Sequence, residues 1–186
     1  MKTYAEWVSI VTAEVAESLG AVPPESLQQL REGLRGAQRV FTAARGRSGL
    51  CMRAFAMRLM HLGLTAHVVD EVTTPSIGEG DVLLLASGSG KTASLLSYAA
   101  AAKAQGAAVL VITAHPASPL GQQAQHIVHI PAPSVKAEHS QGSSAQPMAN
   151  RFEQSLWLML DITSIQLMDE MGLTEAQLFA RHANLE

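Results

Sequence analysis

The chain has 186 residues, 47% hydrophobic and 16% charged, with a formal charge of −3 and one cysteine. That length suits one domain or a compact pair, and the near-neutral charge excludes recruitment of nucleic acid or anionic membrane by bulk electrostatics. A single cysteine excludes an internal disulfide framework and fits a reducing compartment.

The first residues include an acid and no apolar core of signal length, and no stretch approaches the roughly 20 apolar residues of a membrane span. The expectation is a cytoplasmic protein without membrane or nucleic-acid partners. Low charge also leaves little polar surface to coat a monomer, which points to subunit association.

Tyr4, Trp7, Val8, Val11 and Val15 recur at helical spacing, predicting an amphipathic helix over 3–19 that Gly20 and Pro23-Pro24 end. Ser26 is the expected cap of a second helix presenting Leu27, Leu30 and Leu34. Strands are predicted at 39–44, 66–70, 81–87, 107–113 and 126–130, with helices near 48–62, 92–105 and 117–124 between them. The continuous apolar runs Val82-Leu83-Leu84-Leu85-Ala86 and Val109-Leu110-Val111-Ile112 suit strands covered on both faces. Short-linked β and α elements imply a doubly wound α/β fold with a parallel five-stranded sheet.

Residues 131–150 are rich in Pro, Ser, Gln and Gly, a length of loop that is uncommon inside a compact domain. A long helix follows over 150–171. It is apolar on most sides, as expected for burial between the sheet and a neighbouring subunit. Thr174-Glu175 start a last short helix leading into Arg181-His182. The predicted organisation is one domain over 1–186: N-terminal helices 3–35, α/β core 36–131, loop 132–149 and C-terminal helices 150–186.

Two similar turns carry the chemical signal. Gly46-Arg47-Ser48-Gly49 follows the first strand, and Ser87-Gly88-Ser89-Gly90-Lys91-Thr92 follows the third; each opens a helix. Glycine allows close approach of backbone to ligand, and a helix start supplies unpaired N–H groups with positive dipole. Serine and threonine hydroxyls add donors for phosphate oxygens. The second turn is no Walker A loop, because Leu85 stands where that motif needs glycine. Nor does it fit a dinucleotide fingerprint, since Ile112-Thr113-Ala114 replaces the acid expected about twenty residues on. One such turn could merely connect strand to helix. In the strand order 2-1-3-4-5, however, strands one and three are neighbours, and both turns face one crevice.

With these residues, the chain resembles the sugar isomerase (SIS) domain family, and within it the 6-phospho-3-hexuloisomerases. The resemblance rests on 46–49, the run Phe55-Ala56-Met57-Arg58-Leu59-Met60-His61-Leu62-Gly63, Glu71-Val72-Thr73-Thr74-Pro75-Ser76, 87–92, Phe152-Glu153-Gln154 and the tail Arg181-His182-Ala183-Asn184-Leu185. It implies interconversion of D-arabino-hex-3-ulose 6-phosphate and fructose 6-phosphate, a step of the ribulose monophosphate route of formaldehyde handling. It also implies a homotetramer without metal or organic cofactor. By position, Ser87, Gly88, Ser89 and Thr92 would hold the phosphate, Ser48 would touch phosphate or sugar hydroxyls, and Glu153 would be the base. His182 would reach a site from the tail, in its own or a neighbouring subunit. Other sugar isomerases often carry a larger polar residue at the position of Gly88, which leaves that contact to the backbone.

The residues themselves leave several roles open. A first-turn glutamate such as Glu153 is favoured by the helix dipole alone, and burial and dipole push its pKa in opposite directions. Arg47 and Gly46 belong to the candidate anion site, and Arg47 and Lys91 could strengthen its field, yet cations at a turn start are commonly just solvated. Seven histidines form no His-Glu-x-x-His motif or Cys/His cluster, so no metal site is predicted. Cys51 reads as a small buried residue. A regulatory sugar-phosphate sensor and an aldose–ketose isomerase of the same fold are the competing readings.

Overall fold

The computed structural model describes residues 1–133 and 144–185. The elements in chain order are α1 (Tyr4–Gly20), α2 (Pro24–Gly36), β1 (Val40–Ala44), α3 (Gly46–His61), β2 (Ala66–Val68) and β3 (Val82–Ala86). They continue as α4 (Ala93–Ala104), β4 (Ala108–Thr113), β5 (His126–His129), α5 (Asn150–Glu170) and α6 (Glu175–Phe179). The five strands form a parallel sheet in the order β2-β1-β3-β4-β5, as the sequence predicts.

Alternation along the strands assigns two cores. Val40, Val82, Leu84, Leu110 and Ile112 pack with Leu30 and Leu34 of α2, Phe55 and Leu59 of α3, and Phe152 and Leu156 of α5. The intervening Phe41, Leu83, Leu85, Val109 and Val111 pack with Leu95, Ala99 and Ala102 of α4. Because consecutive strand residues serve opposite helical layers, β1 and β3 are buried at every position and their sequences show no polar alternation.

Register positions the site. Ala44, the last residue of β1, lies opposite Ala86, the last residue of β3. The chain leaves both neighbouring strands at the same level, so the two turns emerge side by side at the carboxyl edge, where open α/β sheets bind ligands.

Two predicted details differ. Pro23 caps α2 and Pro24 occupies its first turn, where the missing N–H costs no helical bond. Ser26 lies inside that turn and donates from Oγ to the Pro23 carbonyl at 2.8 Å instead of capping. The segment 117–124 holds only a 3₁₀ turn, Gly121–Gln123. It is drawn into a tight loop: Leu120 N–H donates to the Gly90 carbonyl at 3.1 Å, and a Cβ at Gly121 would sit 1.9 Å from the Pro116 oxygen. The long helix α5 buries one face within this chain. Its Trp157, Leu158, Ile162 and Ile165 are exposed, beside exposed Trp7 and Val8 of α1.

Within the predicted loop 132–149, residues 134–143 lie outside the described residues, as does His139 of the seven histidines. Among the described residues, no helix is long and apolar enough to cross a membrane.

Candidate functional site

The second turn is built by its own side chains. Ser87 Oγ accepts from Gly90 N–H at 3.1 Å, and Ser89 Oγ accepts from Lys91 N–H at 3.3 Å. Each hydroxyl, having accepted, still has a proton to donate. Thr92 sits at the N-cap of α4 but makes no side-chain bond to its amides; Oγ1 lies 3.2 Å from Ser87 Oγ. Gly90 adopts φ +60°, and a Cβ there would fall 1.9 Å from Ser118 Oγ, so the turn closes only with glycine.

Gly88 is crowded in a different way. A Cβ at this position would meet the Phe152 ring at 3.2 Å. The aromatic ring occupies the space that a larger side chain would fill, and the backbone of Gly88 is left facing the cleft.

The first turn starts from Arg45, extended at φ −124° and ψ 158°, whose carbonyl accepts from Gly49 N–H at 3.3 Å. Ser48 is buried in the opening turn of α3. Between the turns lies a cleft of about 270 Å³. Gly46 and Ser48 line it from one side, and Ser87, Gly88, Ser89 and Thr92 from the other. Its volume is close to the lower end of the ~300 Å³ upward that small-molecule sites span.

The start of α5 supplies the remaining wall through Ala149, Phe152 and Glu153. The chain enters this helix through two consecutive left-handed residues, Met148 at φ 63° and Ala149 at φ 72°. For non-glycine residues such conformations are costly and persist where surrounding structure enforces them. Glu153 follows in the first turn of α5 and lines the cleft.

Glu153 is partly buried, with 19% of its side chain exposed. Burial raises its pKa above the ordinary carboxylate value, while the Arg47 guanidinium, 3.1 Å away, works in the opposite direction. Arg47 also bonds Asn150 Oδ1. Its guanidinium thus pairs with the start of α5, and Arg47 is absent from the lining of the cleft between the turns, where sequence reasoning placed it. Lys91 is exposed and likewise absent from the lining.

Cys51 packs beneath this pair, its Sγ 3.4 Å from the Arg47 carbonyl and 3.6 Å from that of Glu153. Burial, helped by the Glu153 charge, pushes the thiol up to about 11, so it stays protonated at neutral pH and serves as a weak donor.

His182 lies elsewhere. Its ring stacks on His61 at a centroid distance of 5.3 Å and on Phe179 at 6.0 Å. His61 ends α3, whose 16 residues begin at the cleft; at ~1.5 Å per residue the two ends are about 22 Å apart. The structure therefore brings together Gly46, Ser48, Ser87, Gly88, Ser89, Thr92 and Glu153, and leaves His182 of the same chain at the far end.

Sequence reasoning missed four lining residues: Arg45, Ala86, Ala149 and Phe152. Phe152 reads as ordinary core from its periodicity, and Ala149 carries no chemical signal. Arg45 was detectable, since a cation just before a helix start runs against the dipole and calls for a compensating partner. Among the described residues, no group of three or more His, Cys, Asp or Glu side chains is placed to hold a metal ion.

Comparison with known proteins agrees with this architecture. The SIS domain family matches residues 33–154, a span that includes both turns and Glu153. A 3-hexulose-6-phosphate isomerase from Bacillus subtilis is 40% identical over 186 residues, covering 100% of both chains. One from Mycobacterium gastri is 42% identical over 179 residues, covering 96% of this chain and 89% of its own. A solved structure from Methanococcus jannaschii, described as inferring a function of 3-hexulose-6-phosphate isomerase, superposes with a TM-score of 0.84. It is 31% identical, with 97% of this chain and 99% of that one covered. The chain belongs to the SIS domain family, and it is similar to 3-hexulose-6-phosphate isomerases along its full length.

Proposed function

We propose that this protein is a sugar-phosphate isomerase that interconverts D-arabino-hex-3-ulose 6-phosphate and fructose 6-phosphate. The observation that carries the reading is the convergence of one partly buried carboxylate, Glu153, on a cleft walled by two hydroxyl- and amide-bearing turns. Similarity to the isomerases of B. subtilis and M. gastri supports the substrate.

The phosphoryl group is held by Ser87, Ser89 and Thr92 with the backbone of Gly88, and by Ser48 or the amides near Gly46. Backbone and hydroxyl donors suit this task because they need no bulk positive charge. The forward substrate is open-chain: its 6-oxygen is esterified, and closure of the 5-oxygen on C3 would give a strained four-membered ring. Ring opening is needed only when fructose 6-phosphate is the substrate.

Glu153 removes the proton from C2, and the C2–C3 enediolate forms as the C3 carbonyl gains charge. The same carboxylate returns the proton to C3 while the hydroxyl proton passes from O2 to O3, leaving a carbonyl at C2. Raised basicity through burial suits Glu153 to this work, and the Arg47 guanidinium favours its ionised form.

His182 would carry the proton between the oxygens, and its remoteness from the cleft of its own chain favours action from a neighbouring subunit. Exposed Trp7, Val8, Trp157, Leu158 and Ile162 on α1 and α5 support the association, expected to be a homotetramer, that this requires.

Three outcomes are expected. Wild-type protein forms fructose 6-phosphate from the 3-ketose phosphate, and Glu153→Gln lowers kcat by about 100-fold or more with little change in KM; full turnover by the variant would remove Glu153 as the base. In Arg47→Ala the cation no longer favours the carboxylate, so the pKa of Glu153 rises and the acid limb of the kcat/KM profile moves to higher pH. An unmoved limb would mean that Glu153 does not govern it. Hybrids assembled from Glu153→Gln and His182→Ala subunits regain activity that neither parent has, whereas His182 acting within its own chain would give no recovery.

A further inference from the structure

Arg45 lines the cleft, yet its guanidinium is already engaged away from it. Nε donates to Ser94 Oγ at 3.0 Å, one Nη pairs with the Asp70 carboxylate, and Nη2 donates to the Tyr98 hydroxyl at 2.6 Å. The Tyr98 hydroxyl in turn donates to Asp70 Oδ1 at 2.8 Å, and the guanidinium carbon lies 5.3 Å from the Tyr98 ring centroid. These partners come from different elements: Asp70 follows β2, while Ser94 and Tyr98 belong to α4.

The main chain of Arg45 belongs to the first turn through the Gly49 bond. Its side chain ends on the first two turns of α4, the helix that the second turn opens. One residue thus spans the two anion-binding segments. We propose that Arg45 is a positioning residue that sets the spacing between the two turns, and that Asp70 and Tyr98 orient it for that task. The inference rests on the phosphate-gripping role given to the turns above.

Charge fits this role. A lone cation beside the N-terminus of α4 would oppose the helix dipole and compete with the turns for the phosphoryl group. Asp70 cancels it, and hydrogen bonds from Arg45 and Tyr98 hold the Asp70 carboxyl below its ordinary pKa, so the pair stays charged at neutral pH. The pair is also poorly placed to add stability. Arg45 and Asp70 are 40% and 38% exposed, and ion pairs at that exposure contribute little. What the network does supply is geometry: several directed bonds, anchored on a planar guanidinium, at fixed angles.

The test compares wild type with Arg45→Met, Arg45→Lys and Ser94→Ala. It measures KM and kcat for fructose 6-phosphate, the competitive inhibition constant of inorganic phosphate, and the melting temperature. Arg45→Met is expected to raise KM and the phosphate constant together by about tenfold, with kcat within about twofold of wild type, because the anion grip is misplaced and the base is not. Arg45→Lys keeps the charge beside Asp70 but cannot reach Ser94 and Tyr98 together, so it should retain most of the defect. Ser94→Ala should show a smaller change in the same direction, and it carries the test if Arg45→Met does not fold. Unchanged KM and phosphate constants in Arg45→Met or Ser94→Ala, or full restoration by lysine, would overturn the inference. A wild type that neither turns over the ketose phosphates nor is inhibited by phosphate would instead overturn the functional reading itself.

Discussion

Parallel pairing of β1 with β3, in a register that sets Ala44 opposite Ala86, is the constraint on which the site depends. Backbone hydrogen bonds between adjacent strands leave the two chain exits about 4.8 Å apart across the sheet. Each exit then turns through glycine and serine into a helix. A shift of one residue in register would exchange the helical layer that each side chain faces and move one turn out of level with the other. The apolar residues behind the pairing, Leu84 toward α3 and α5 and Leu85 toward α4, oppose such a slip because both are fully buried.

On that frame the chemistry divides between rigid and adjustable parts. The proposed grip is made of amides and hydroxyls set by turn geometry, with Gly90 and Gly88 admitting the close approach of Ser118 and Phe152. The proposed base, Glu153, comes from α5, a different element, where burial raises its pKa and the Arg47 cation works against that rise. Arg47 and Arg45, two residues apart, serve opposite sides of the cleft: one answers the carboxylate, the other reaches α4. Both guanidinium groups thus have protein partners, and in a chain of net charge −3 the proposed anion site relies on the amides and hydroxyls of the turns.

Much of this was legible in the residues. Uninterrupted apolar runs such as 82–86 announce strands covered on both faces, and two Ser/Gly turns at the ends of the first and third strands locate the crevice. What escaped depends on contacts between residues far apart in the chain. The purpose of Arg45 appears only when Asp70 and Tyr98 are brought to it across 25 and 53 residues. The pairing of Arg47 appears only when Asn150 and Glu153 approach from more than 100 residues away. The segment 117–124 has helical composition, but its anchoring to Gly90 and the crowding of Gly121 against Pro116 give a 3₁₀ turn. His182 has no local signal that would have set it against His61.

The central claim is that a single phosphoryl group bridges the segments 46–49 and 87–92. A crystal structure of the fructose 6-phosphate complex tests it most directly. The account predicts phosphoryl oxygens within hydrogen-bonding distance, about 2.5–3.2 Å, of Ser89 and of at least one donor in the first turn, with C2 and C3 facing Glu153. A phosphoryl group bound outside the cleft, or touching only one of the two turns, would contradict it.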